Sequence, residues 1–88
     1  MSRLLLIHEA AEAEISEAAH FYDLAGPGLG SEFLDEIERA IRSISDFPEA
    51  GPLVRARVRK RTIAKFPYSL VYSVRPDEVR ILAVAHHK

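Results

Sequence analysis

The residues best suited to chemistry lie in a basic stretch and at the carboxyl end of the chain. Six of the thirteen residues from 54 to 66 are cationic, and His86 and His87 fall within the last three positions. Cations beside an imidazole can hold a phosphodiester and stabilise developing charge, and imidazole can move a proton near neutral pH. Antiparallel strands could bring Arg61 close to this pair, which would fit metal-independent RNA cleavage in outline. A histidine pair at a chain end is also typical of a solvated terminus.

The basic stretch has apolar residues at strand spacing, which predicts one β-strand with a charged face. Crowded like charges oppose folding, so the pattern favours an anionic partner, although a solvated face that protects a sheet edge is an equal alternative. Val58 and Ile63 have opposite parity, so a bulge near 59–61 is required if both enter the core. The residues expected to contact a target or partner are Arg55, Arg57, Arg59, Lys60, Lys65 and Tyr68.

Other chemistry has little support in the sequence. No pair among His8, His20 and the terminal histidines has the spacing of a metal site, and there is no cysteine. The glycine-rich segment 25–30 precedes a helix but lacks the lysine of a phosphate-binding loop. We therefore expect neither a metal nor a cofactor, and the helices offer no serine–histidine–aspartate or paired-carboxylate arrangement.

Length and charge limit the possible classes of protein. Eighty-eight residues with 48% hydrophobic content predict one globular domain over 1–88. Residues 1–50 carry 11 acids and 3 bases, a charge of −8, whereas residues 51–88 carry 2 acids and 9 bases, a charge of +7. The basic half can attract an acidic or nucleic-acid partner. The apolar run 4–7 is too short for a signal or membrane segment, so we expect a cytoplasmic protein.

Two helices are predicted after a short first strand, Leu4–Ile7. Apolar residues recur on one face of a helix from His8 to Leu24, and again on a helix that Ser31 would cap and that Phe47-Pro48 would end. The loop at 25–30 makes the two helices an antiparallel hairpin.

The strands after the linker 48–52 complete the prediction. Residues 69–75 alternate between apolar and polar, residues 76–78 form a tight turn, and residues 79–85 form a strand that is apolar on both faces. The order is β-α-α-β-β-β: an α+β fold in which an antiparallel sheet carries the helical hairpin on one face.

The chain as a whole resembles the RelE/ParE family of toxins from type II toxin–antitoxin modules. The resemblance spans nearly the whole chain, and its motifs are Leu4–Ile7, Phe21-Tyr22, Gly28-Leu29-Gly30 with Phe33, Phe47-Pro48, Gly51-Pro52, Phe66-Pro67-Tyr68, Val71-Tyr72 and Val84-Ala85-His86. It implies the same fold, growth inhibition, a role in plasmid stabilisation, and an acidic antitoxin that wraps the toxin in a hetero-oligomer.

The family's two activities differ in class, and the resemblance leaves three hypotheses. RelE-like members cleave mRNA on the ribosome, and by position Arg61 and His87 match their nuclease residues. ParE-like members inhibit DNA gyrase and need no nuclease site. This chain has Ser69 where an arginine is frequent and lacks the basic and aromatic tail of many relatives, which favours the ParE-like branch. The third hypothesis is a non-toxic module that only binds a partner.

Charge predicts where the antitoxin binds. A basic half-sheet beside an alanine-lined helical hairpin is suited to an acidic amphipathic segment. We expect contacts on the hairpin and on Arg55, Arg57 and Arg59.

Overall fold

The strand that alternates most clearly in the sequence lies at the centre of the sheet. The computed structural model describes residues 3–87. Its elements in chain order are β1 (Leu4–Ile7), α1 (Glu9–Ala25), α2 (Leu29–Asp46), β2 (Leu53–Arg55), β3 (Val58–Thr62), β4 (Tyr68–Val74) and β5 (Glu78–His86). Leu70 and Tyr72 of β4 point to the helices and are fully buried, as the alternation requires. The α+β fold and the helical hairpin are confirmed.

The sheet is mixed, so the prediction of an antiparallel sheet was wrong in one strand. The strand order is β1-β5-β4-β3-β2, and β1 runs parallel to β5, with Leu5 opposite Val79. Strands β2 to β5 follow one another through tight connections that force antiparallel pairing. No such turn joins β1 to its neighbour, because the two helices intervene, and a crossover of that length permits the parallel direction.

The basic stretch forms two strands instead of the one that we expected. Ala56 and Arg57 make a turn between β2 and β3, and Ala56 adopts a φ of 41°. β3 pairs with β4 without a register shift, so the expected bulge near 59–61 is absent. Ile63 lies on the helix side of the sheet, and Val58 lies on the other side. Their opposite parity therefore needs no bulge.

The sheet is irregular elsewhere. Leu82 is an extra residue in β5, because Val71 pairs with Ala83 while Tyr72 pairs with Ile81. β2 also shifts register between Leu53 and Arg55.

The helix ends show which local signals decided the boundaries. His8 caps α1 as its Nδ1 accepts the Ala10 N–H at 3.0 Å. α2 begins at Leu29, two residues before the predicted cap, Ser31. Asp23 of α1 accepts the Gly30 N–H at 2.9 Å. It thereby satisfies a free backbone donor in the first turn of α2, which is the role that we expected the Ser31 side chain to have. A side chain on Gly30 would collide with Asp23 and the Ala19 carbonyl, so the hairpin closes tightly there.

The core lies between the helices and the sheet. Its largest fully buried side chains are Tyr72, Phe33, Ile44, Leu70, Ile81 and Val79. The other face of the sheet has no layer over it in the part of the chain that the structure describes. Within residues 3–87, neither helix is long and apolar enough to cross a membrane.

Candidate functional site

Strand alternation divides the cations of β3 between the two faces of the sheet. Strands β2 and β3 with the turn between them are called the basic ribbon below. Arg59 and Arg61 pair with Tyr72 and Leu70, so their side chains point toward the helices. Lys60 lies opposite Val71 and points to the face without helices, which we call the open face. The expectation of one strand with its cations on a charged face is therefore corrected, because a strand places successive side chains on opposite sides.

The two cations on the helix side bind groups within the chain. Arg59 Nη1 donates to the Glu49 carbonyl at 3.0 Å and to the Gly51 carbonyl at 2.7 Å. Arg61 Nη1 donates to Ser43 Oγ on α2 at 2.8 Å. These acceptors are uncharged, so neither hydrogen bond pairs an arginine with a carboxylate, and the two side chains fasten the linker and α2 to the sheet.

Three of the expected contact residues face solvent. Arg55 and Arg57 flank Ala56 at the β2–β3 turn, and Lys60 follows on the open face; all three are exposed. Among the ion pairs of residues 3–87, none includes these side chains. We call Arg55, Arg57 and Lys60 the outward cations, and they can meet an anionic partner without first breaking an ion pair within residues 3–87.

Lys65 and Tyr68 have structural neighbours. Lys65 adopts a φ of 71°, and its Nζ lies 3.4 Å from the Glu36 carboxylate. The Tyr68 ring packs against Phe33, with ring centroids 5.3 Å apart, so it is a part of the aromatic core instead of a free loop side chain. Burial, and then the neighbouring Tyr68 phenol, raises the pKa of Tyr22 above its ordinary value.

The terminal histidines are ordered and differ in their surroundings. His86 lies opposite Tyr68, with the ring centroids 4.9 Å apart. The His87 N–H donates to the Pro67 carbonyl at 2.7 Å, and His87 Nε2 lies 2.6 Å from Ser69 Oγ. Thr62 Oγ1 lies 3.3 Å from the same Ser69 oxygen. His87 is therefore anchored on the open face.

The structure places Arg61 and His87, two of the residues expected in a nuclease site, on opposite faces of the sheet. Arg61 extends to α2 on the helix side, whereas His87 is held on the open face by Ser69. His86 shares the helix side with Arg61, but Arg61 pairs through Leu70 with Val84, one step short of His86 along that face. No group of residues in 3–87 has the composition and geometry of a metal site.

Sequence reasoning missed the polar side chains that hold Arg61, Lys65 and His87 in place. Ser43 and the buried Glu36 read as ordinary polar residues of α2, and Ser69 was noted only because an arginine is frequent at its position. Glu36 is 5% exposed and accepts from Arg39 at 2.7 Å. That hydrogen bond, with help from Lys65, holds the pKa of Glu36 below its usual value of 4.5 despite the opposing effect of burial. A signal was present, since Glu36 falls between Phe33 and Ala40 on the apolar stripe of α2.

The fold is a small α+β domain with a basic ribbon at one edge of its sheet, and comparison with known proteins identifies its family. The family model for the ParE toxin of the type II toxin–antitoxin system, parDE, matches residues 5–88. The chain belongs to the ParE toxin family.

Two solved structures share the fold. A chain of the chromosomal ParDE toxin–antitoxin system from P. aeruginosa is 20% identical with a TM-score of 0.86, and the match covers 99% of this chain and 98% of that one. The isolated E. coli RelE toxin is 21% identical with a TM-score of 0.73, covering 99% and 86%. No curated protein matches the sequence significantly. At such identities the two likenesses show the fold alone.

Proposed function

We propose that this chain is a cytoplasmic toxin that a cognate acidic antitoxin keeps silent, and that it acts by binding DNA gyrase instead of by cleaving RNA. Family membership supports the toxin role. The observation that carries the mode of action is the separation of Arg61 from His87 on opposite sides of the sheet. General acid–base cleavage needs its groups within reach of one phosphodiester, and two faces of a sheet do not provide that.

The outward cations are the proposed contact with the antitoxin. Arg55, Arg57 and Lys60 are exposed and lie on a short ribbon held firm by β4. A firm positive surface speeds encounter with an acidic segment and loses little entropy on binding. Arg59, Lys65 and Tyr68 contribute less in this proposal, because each already holds part of the fold.

Purified gyrase tests the target directly. We expect the full chain to inhibit supercoiling of relaxed plasmid, and the inhibition to disappear when the antitoxin encoded by the neighbouring reading frame is added. Transcripts in a translation extract should stay intact. Unaffected gyrase together with cut transcripts would overturn the proposal, and normal growth on expression without antitoxin would favour the non-toxic module.

A RelE-like ribonuclease remains the second candidate, because His87 is a fixed imidazole on the face where Lys60 lies. On this alternative, His87→Gln should abolish ribosome-dependent cleavage, while His20→Gln, an exposed histidine on α1, should not. If RNA contacts the three outward cations, log affinity should fall with log salt at a slope of about −2, from about −0.7 per contact.

A further inference from the structure

A basic hollow lies at one end of the open face, where the β2–β3 turn, the end of β4 and the start of β5 meet. Val58, Ser73 and Arg80 lie side by side there, because Val58 pairs with Ser73 and Ser73 pairs with Arg80 on the next strand. The hollow is lined by three arginines from three segments of the chain: Arg57, Arg75 and Arg80. Three cations that stand apart in the sequence therefore share a single hollow.

Backbone hydrogen bonds hold all three arginines in position before any ligand binds. The Arg57 carbonyl accepts the Val74 N–H at 3.0 Å, and the Arg75 N–H donates to the Glu78 carbonyl at 2.9 Å. Arg80 lies within β5, which is paired on both sides at that point, with β4 and with β1. Cations on a backbone fixed in this way lose less entropy on binding than cations on a mobile loop.

Most of the donors on these arginines are free to bind a ligand. No ion pair within residues 3–87 includes Arg57 or Arg75. Arg80 donates to Glu78 through its Nε at 3.1 Å, which leaves its two terminal Nη groups. Ser73 lines the hollow beside them, and a serine hydroxyl is a further donor. The hollow therefore presents several N–H and O–H groups from which one anion can accept hydrogen bonds.

The other residues of the hollow limit the kind of anion that it suits. Asp77 and Glu78 also line it, so with His8 neutral its three arginines and two carboxylates give a net charge of +1. A peptide with several carboxylates would be repelled by these two acids, whereas one phosphate group can be bound by the arginines alone. The guanidinium fork matches phosphate oxygens, and the apolar side chains of Val58 and Leu82 suit a sugar or base beside the phosphate.

We propose that this hollow binds a nucleotide, with its phosphate on Arg75 and Arg80 and its base or sugar against Leu82. The proposal does not depend on the proposed function. The hollow is also separate from the imidazole of the alternative nuclease, because Ser69, which holds His87, is four residues from Ser73 along β4, about 13 Å at about 3.3 Å per residue. A free nucleotide and a nucleotide within a single strand present the same chemistry, and the experiment separates them.

Titration of the full ¹⁵N-labelled chain, followed by NMR, tests the ligand and locates it. The probes are AMP, inorganic phosphate, adenosine, a short single-stranded oligothymidine and a short glutamate peptide. We expect AMP to shift the amide signals of residues 56–58 and 73–82 and to bind about tenfold more tightly than phosphate or adenosine. Tighter binding of oligothymidine at the same signals would identify a strand as the source of the nucleotide, and tighter binding of AMP would identify the free nucleotide. Tighter binding of the glutamate peptide, or AMP shifts confined to other residues, would overturn the proposal.

Matched variants separate a built site from general attraction to positive charge. Arg75→Gln should weaken AMP about tenfold, because it removes a charged hydrogen-bond donor, and combining it with Arg80→Gln should abolish binding. The control Arg42→Gln, Arg55→Gln removes the same charge from two exposed positions that do not line the hollow, and it should bind AMP as the unsubstituted chain does. Leu82→Ala should weaken AMP several-fold and leave phosphate unchanged, with circular dichroism confirming the fold of each variant. An equal loss in the control, or unchanged binding in Arg75→Gln, would overturn the proposal.

Discussion

The cations of one short ribbon have two different uses. Arg59 and Arg61 bind carbonyl and hydroxyl oxygens of the linker and α2, whereas Arg55, Arg57 and Lys60 face solvent. The residues are similar in type and adjacent in sequence, so only the alternation of the strand and the turn at Ala56 separate them. A basic stretch in a sequence is therefore not a binding surface until its faces are known.

The substitution that we expect to change stability most is at Gly51, in the linker that Arg59 binds from the helix side of the sheet. A Cβ on this residue would collide with the Tyr72 hydroxyl and the Lys60 carbonyl. Gly51→Ala should therefore reduce the free energy of unfolding by about 1–3 kcal/mol, measured by urea denaturation.

Tyr72→Phe tests the same contact from the other side. The Tyr72 hydroxyl is buried without a hydrogen-bond partner among the described residues, so removing it should leave stability unchanged or raise it by about 1 kcal/mol. The loss from Gly51→Ala should shrink when it is combined with Tyr72→Phe, without vanishing, because the Lys60 carbonyl remains. If Gly51→Ala lowers the free energy of unfolding equally in the unsubstituted chain and in Tyr72→Phe, the Tyr72 hydroxyl is not the group that the new side chain meets.

Adjacent residues give the sharpest contrast within the ribbon. Arg59→Ala removes two hydrogen bonds from a charged donor and should cost about 1–2 kcal/mol in stability. Lys60→Ala should change stability by less than about 0.5 kcal/mol. Similar losses for the two variants, measured by urea denaturation, would contradict the division of roles.

The pH dependence of Glu36 should be the smallest effect, because Arg39 and Lys65 are about two-thirds exposed. Its pKa is lowered in the folded state, so its contribution is present above the unfolded value near 4.5 and is lost as pH falls through the folded pKa. Glu36→Gln should lower Tm near neutral pH and approach the unsubstituted chain in strong acid. Glu38→Gln is the control, and its Tm difference should change less with pH. A Tm difference between Glu36→Gln and the unsubstituted chain that stays constant with pH would contradict the lowered pKa of Glu36.

Local pattern predicted most of the fold. Apolar periodicity identified both helices and strands β1, β4 and β5, since each buries one continuous face or run. It could not reveal the direction of β1, which depends on pairing with a distant strand. It also placed the cap of α2 at Ser31, because the bond from Gly30 to Asp23 joins residues on different helices.

The site was predicted less well, for a physical reason. Residue type correctly marked the basic ribbon as ordered, but side-chain direction depends on register, and register depends on β4. Ala56 adopts a positive φ in the turn between β2 and β3, and the turn contains no glycine or asparagine from which the sequence could have predicted it.

The rate at which the antitoxin associates with the chain tests the central claim most directly. Stopped-flow mixing at two salt concentrations should show that Arg57→Glu slows association several-fold and weakens its salt dependence, while Arg61→Gln changes the rate little. An Arg57→Glu variant that associates as fast as the unsubstituted chain, or an Arg61→Gln variant that is slowed equally, would contradict the separation of outward cations from those that hold the fold.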